Sequence, residues 1–137
     1  NYRLSDVHAA LGRSQLGKLD GFVRTRNELA DRYDSSLRDL PLTLPARAPD
    51  GQVHARHLYP VRVADRARVY RELRDAGVGV QVHYVPVHTQ PRFAGEHVLP
   101  VTERVAGELL SLPLHPRLTH RDQDQVVEAL AAALRAG

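Results

Sequence analysis

The chain has 137 residues, 42% hydrophobic and 26% charged, which suits one ordinary domain or a small domain plus an extension. Cysteine is absent, which excludes a disulfide framework and cysteine-ligated zinc and fits a cytoplasmic protein. The net charge is +3, but the arginines alternate with acids from Arg24 to Asp34 and again from Arg66 to Asp75, a mixed helix surface rather than a nucleic-acid-binding stripe.

In chain order, Ser5 suits the N-cap of a first helix beginning at Asp6. Val7, Ala10 and Leu11 share one face of it at helical spacing. Gly12, Gly17 and Gly21 weaken the helical pattern beyond Leu11, so a break near Gly17 is expected. From Lys18 the pattern resumes through Phe22, Leu29, Ala30, Tyr33 and Leu37, predicting a long second helix that ends near Leu40 before Pro41. Leu42 to Leu44 reads as a short strand, Ala46 to Val53 as a turn-rich connector, and His57 to Val63 as a strand. Asp65 caps a helix over Arg66 to Ala76, closed by Gly77.

Val78 to Tyr84 alternates as a strand does, after which Pro86 and Pro91 force an irregular loop. Thr102 starts a helix reaching Leu110, Leu112 to Leu114 forms a short strand, and Thr119 caps a last helix over Asp122 to Arg135. After Pro41 the order is β-β-α-β-α-β-α, an α/β (α+β) small domain with helices packed over a small sheet. Residues 1–40 read as a helical lead-in and residues 41–137 as the small domain. The lead-in needs another surface to cover Leu11, Leu16 and Leu19, on a missing part of the protein or on a second copy. No apolar run is long enough to cross a bilayer, and the first residues lack the apolar core of a signal peptide.

Two stretches carry candidate chemistry. The segment from Gly79 to Pro91 leaves a strand for a proline-constrained loop and places His83, Tyr84, His88 and Gln90 within eight positions. Such groups suit a polar, phosphorylated or hydroxylated ligand, and loops on a rigid sheet are where binding groups gather. The alternative is that His83 and Tyr84 only finish the sheet edge. At the other end, Asn1 and Arg3 precede a helix start, where spare N–H donors and a guanidinium favour an anion. A plain capped helix start accounts for the same residues.

A metal site is not expected. The pairs His54/His57 and His83/His88 are three and five residues apart, which on a strand puts their rings on opposite faces. Lys18, the only lysine, lies in a charged helix with no desolvating pocket, so a surface role is expected rather than a Schiff base.

Several segments together resemble a known family. Asn1-Tyr2-Arg3-Leu4-Ser5-Asp6-Val7-His8-Ala9-Ala10-Leu11-Gly12 is similar to the N-Y-R-x-S/T-D/E signature of the DegT/DnrJ-type nucleotide-sugar aminotransferases. Arg32-Tyr33-Asp34, His57-Leu58-Tyr59-Pro60, the stretch from His83 to Pro91, Ser111-Leu112-Pro113-Leu114-His115-Pro116 and Asp122-Gln123-Asp124 occur in the family's order. The wording Val82-His83-Tyr84-Val85-Pro86-Val87-His88 most resembles the subgroup of pseudaminic-acid biosynthesis, which acts on a UDP-linked 4,6-dideoxy sugar.

The resemblance implies a fold-type-I aminotransferase that works as a homodimer. It implies pyridoxal 5′-phosphate (PLP) as cofactor, a nucleotide-sugar substrate and glutamate as amino donor. It also implies that the Schiff-base lysine and the aspartate on the pyridine nitrogen lie upstream. This chain is then expected to be a C-terminal piece, inactive alone, with no catalytic residue of its own. By the same resemblance Asn1 and Arg3 reach the PLP phosphate of the partner subunit. His83, Tyr84, His88 and Gln90 border the sugar-nucleotide pocket, and His57 is structural. The sequence departs from the family's pattern at His8, Arg13, Gly17, Gly21 and Arg92, and its Gly95-Glu96-His97 connector is short. The competing reading is a stand-alone, non-catalytic dimerisation or ligand-binding module with the same small-domain fold.

Overall fold

The computed structural model describes residues 2–93, 95 and 97–135. Two helices open the chain, α1 (Asp6–Leu16) and α2 (Leu19–Leu37), followed by β1 (Tyr59–Arg62) and α3 (Arg66–Asp75). A single 3-10 turn (Val87–Thr89) precedes α4 (Pro100–Glu108), β2 (Leu109–Leu112) and α5 (His120–Arg135). The result is a small α/β domain of the expected class, with α5 packed on α3 and α2, and α3 also against β2.

Local rules account for most helix ends. The Ser5 hydroxyl accepts from the His8 N–H, the Asp65 carboxylate from the Arg68 N–H, and the Thr119 hydroxyl from the Asp122 N–H. Gly77 closes α3 with φ +79°, a left-handed turn that a side chain disfavours. The break between α1 and α2 falls at Gly17 and Lys18, as the glycines imply.

The strands differ from the sequence reading. β1 and β2 pair antiparallel, with Tyr59 opposite Leu112 and Val61 opposite Leu110. The expected strand at Leu42–Leu44 is reduced to one bridge, Thr43 to Arg62, and that at Val78–Tyr84 to one bridge, Gln81 to Ser111. Pro41 and Pro45 keep the first too short to extend, and a tight Val80 N–H to Val78 carbonyl bond turns the second aside. The last strand is Leu109–Leu112, three residues ahead of the expected one. Helical propensity across Glu108-Leu109-Leu110 yields there to pairing with β1, which buries Leu110 and Leu112. Helix α4 starts before Thr102 because Pro100 occupies its first turn, and α2 stops at Leu37 rather than Leu40.

Tyr33, Leu37, Tyr59, Val61, Leu73, Val80, Leu110 and Leu130 form the core. The C-terminal half of α2 belongs to it, and Gln123 and Arg32 tie α2 to α5. The Gln123 amide donates to the Leu29 carbonyl at 2.7 Å, and Arg32 donates to Asp124 at 2.6 Å. Helix α1 contributes no buried residue.

Candidate functional site

The histidine loop runs from the Gln81 bridge to the start of α4. Pro86 directs the chain into the 3-10 turn, and the Thr89 hydroxyl donates back to the Pro86 carbonyl at 2.8 Å. This turn carries His88 inward. Its side chain is buried, and Nε2 lies 3.1 Å from Glu103 Oε1 on α4. Glu103 Oε1 also accepts the Leu99 N–H at 3.1 Å, so one carboxylate both caps α4 and clamps the loop. The Leu99 N–H first, then His88, holds the Glu103 carboxyl below the usual carboxylate range.

His83 is half-buried, and its Nδ1 has no hydrogen-bond partner among the described residues. Its ring meets Tyr84 edge-on at 4.8 Å between centroids. Tyr84 is exposed, together with Val85 and Val87, so the loop offers a phenol and two apolar side chains to solvent. Shallow clefts of about 380 and 470 Å³ flank it, the first beside Tyr84 and Pro86, the second beside Val87 and His88, with Thr102 of α4 in both. Gln90 is exposed at the end of the turn. Of the four loop residues, His83 and Tyr84 touch each other, Tyr84 and His88 line separate clefts, and His88 alone is anchored to α4. His57 is exposed.

Arg3 is exposed in the extended segment ahead of α1, and Asn1 lies outside the described residues. The Ser5 hydroxyl there lies 2.8 Å from the His8 ring nitrogen. Lys18, at the α1–α2 junction, is exposed as expected. Among the described residues no group of histidine, aspartate or glutamate side chains could hold a metal ion, and no helix is long and apolar enough to cross a membrane.

Sequence reasoning missed Glu103. The signal was present, since Pro100 in a first helical turn with glutamate three residues later is a helix-start pattern.

The sequence pattern of the DegT/DnrJ/EryC1/StrS aminotransferase family matches residues 1–131. The chain belongs to this family. It is 41% identical over 140 residues to a dTDP-3-amino-3,4,6-trideoxy-alpha-D-glucose transaminase from Micromonospora megalomicea subsp. nigra, covering 95% of this chain and 37% of that protein. It is 34% identical to a UDP-4-amino-4,6-dideoxy-N-acetyl-beta-L-altrosamine transaminase from Campylobacter jejuni, covering 98% and 38%. The solved structure of the aminotransferase TlmJ from Streptoalloteichus hindustanus superposes with a TM-score of 0.91 at 38% identity, over 96% of this chain and 37% of that one. The chain thus spans well under half the length of these relatives.

Enzymes of this family are PLP-dependent. The described residues do not by themselves fit that cofactor. Imine formation needs an amine in a desolvated pocket, and Lys18, the only lysine, is exposed. What the chain does hold is a histidine-bearing loop beside shallow clefts and a first helix with no buried residue.

Proposed function

We propose that this chain supplies the lead-in, residues 1–40, and the C-terminal small domain, residues 41–137, of an aminotransferase. The whole enzyme would use PLP to transfer an amino group from glutamate to a keto group on a nucleotide-linked deoxysugar, acting as a cytoplasmic homodimer. The observation that carries this reading is the family match over residues 1–131 on a chain that covers only 37% of the dTDP-sugar transaminase it resembles. The exposed apolar residues of the lead-in support it. Leu4, Val7, Leu11 and Leu16 are 59–78% exposed, a surface suited to a covering partner.

In this reading Asn1 and Arg3 contact the cofactor phosphate of the partner subunit, and His83, Tyr84, His88 and Gln90 wall the sugar-nucleotide pocket. His88 has only Nδ1 left to offer a ligand, since Glu103 engages Nε2. No proton or group transfer is assigned to a residue of this chain. The narrower reading, the UDP-4-amino-4,6-dideoxy-N-acetyl-altrosamine transaminase of pseudaminic-acid biosynthesis, rests on the wording from Val82 to His88. The higher identity to the dTDP-sugar transaminase favours a dTDP-linked substrate instead.

One observation favours the stand-alone module. The core from Ala30 to Ala133 closes without α1. Two measurements separate the readings. Glutamate-dependent amination of dTDP- and UDP-linked keto sugars by the whole enzyme supports the first and selects the nucleotide, and its absence with every keto sugar supports the second. With PLP added, this chain alone is expected to show no stoichiometric imine absorbance. An imine band that disappears in Lys18→Ala would overturn the assignment of the lysine to another segment.

A further inference from the structure

Arg56 is a buried arginine with no counter-ion among the described residues. It is only 5% exposed, and among the described residues no hydrogen bond or ion pair engages its guanidinium, whose Nε is fully enclosed. The nearby buried carboxylate is already committed. Asp34 is 4% exposed; its Oδ1 accepts from the Tyr59 hydroxyl at 2.6 Å and its Oδ2 from Arg47 Nε at 3.2 Å. Both Asp34 oxygens are thus engaged, by Tyr59 and Arg47, and neither is bonded to Arg56.

Arg56 lines an open cleft of about 650 Å³ between α2 and the connector before β1. That volume lies within the usual range for small-molecule sites. Leu19, Val23 and Val53 supply apolar wall. Asp20, Glu28 and Asp31 balance the arginines around the cleft, so net charge alone would not concentrate simple anions there. Recognition then falls to the fork of Arg56, which matches a carboxylate or phosphate with paired donors. None of the lining residues comes from the histidine loop.

We propose that this cleft binds a small organic oxyanion, a carboxylate or phosphate ester with an apolar body, whose anionic head is received by Arg56. The apolar wall holds the body, and the ligand supplies the counter-charge that Asp34 cannot.

Phenyl phosphate and benzoate are suitable probes, each tested on the 137-residue chain against sodium chloride at equal ionic strength. At least one is expected to raise the melting temperature saturably, by mass action on the folded state. A rise with phenyl phosphate alone assigns a phosphate head, and a rise with benzoate alone a carboxylate; either supports the site. Arg56→Gln is expected to weaken binding about tenfold or more, the weight of a charge-assisted hydrogen bond. The proposal fails if neither probe exceeds sodium chloride, or if Arg56→Gln binds as tightly as the parent. Should Arg56→Gln not fold, nitrogen-15 NMR of the parent decides. Ligand-induced shifts at the Arg56 Nε–H and the Val23 and Asn27 amides support the site, and unmoved signals there overturn it.

Discussion

The Tyr59 hydroxyl donates to Asp34 Oδ1 at 2.6 Å, joining β1 to α2 through a wholly buried hydrogen bond. Tyr33 packs against Tyr59 with ring centroids 4.9 Å apart, and its hydroxyl donates to the Pro113 carbonyl. Burial pushes both phenols well above the usual tyrosine range, and for Tyr59 the neighbouring Asp34 carboxylate adds to the rise. A pKa raised in the folded state contributes stability that is complete below the unfolded value, about 10, and is lost as pH climbs beyond it. The chain is therefore expected to lose stability above about pH 10. Tyrosinate absorbance should show Tyr33 and Tyr59 ionising only as the fold opens.

Tyr59→Phe tests the same bond by deletion. It removes one donor from a buried carboxylate and leaves that oxygen unsatisfied, which costs about 1–3 kcal/mol. Urea unfolding should show this as a lower midpoint with an unchanged slope.

Glu103 joins the loop to α4, and its carboxyl is held low by the Leu99 N–H and His88. A depressed carboxylate pKa contributes stability above its unfolded value and loses it as pH falls through the folded value. Glu103→Gln is expected to flatten the acid limb of the stability profile. It should also speed amide hydrogen exchange at Leu99 and across Val87 to Gln90, with the strand amides of β1 and β2 unaffected.

Thr119 and Asp122 cap each other at the start of α5. The Thr119 hydroxyl donates to Asp122 Oδ2 at 2.7 Å and accepts the Asp122 N–H. Thr119→Ala should cost about 1 kcal/mol, the usual loss for an N-cap, measured by urea unfolding. The Thr119 hydroxyl, then its N–H, lowers the Asp122 pKa, so this cap too should weaken on acidification below the ordinary carboxylate range.

Leu11 is 59% exposed on α1, whereas Leu73 is fully buried. Leu11→Ser should change the stability of this chain by no more than about 0.5 kcal/mol. Leu73→Ala should cost about 2–5 kcal/mol through the cavity it leaves. In the whole enzyme Leu11→Ser should instead impair association, read by sedimentation. Unaltered association would argue against a covering role for that face.

The sequence by itself determined that the helices exist, their caps at Ser5, Asp65 and Thr119, the break at Gly17 and Lys18, and the family signature, though not the start of α4 or the end of α2. Each depends on residues a few positions apart, where hydrogen bonding to the next turn and helical spacing act. It also marked the loop from His83 to Gln90 as a candidate site, because prolines and ligand-type side chains are visible without a fold. Only the tertiary structure decided that Leu109–Leu112 pairs as a strand, that Glu103 holds His88, and that Asp34 is spent on Tyr59 and Arg47 while Arg56 is left enclosed. Those outcomes join groups as much as dozens of residues apart, where burial and pairing override local preference.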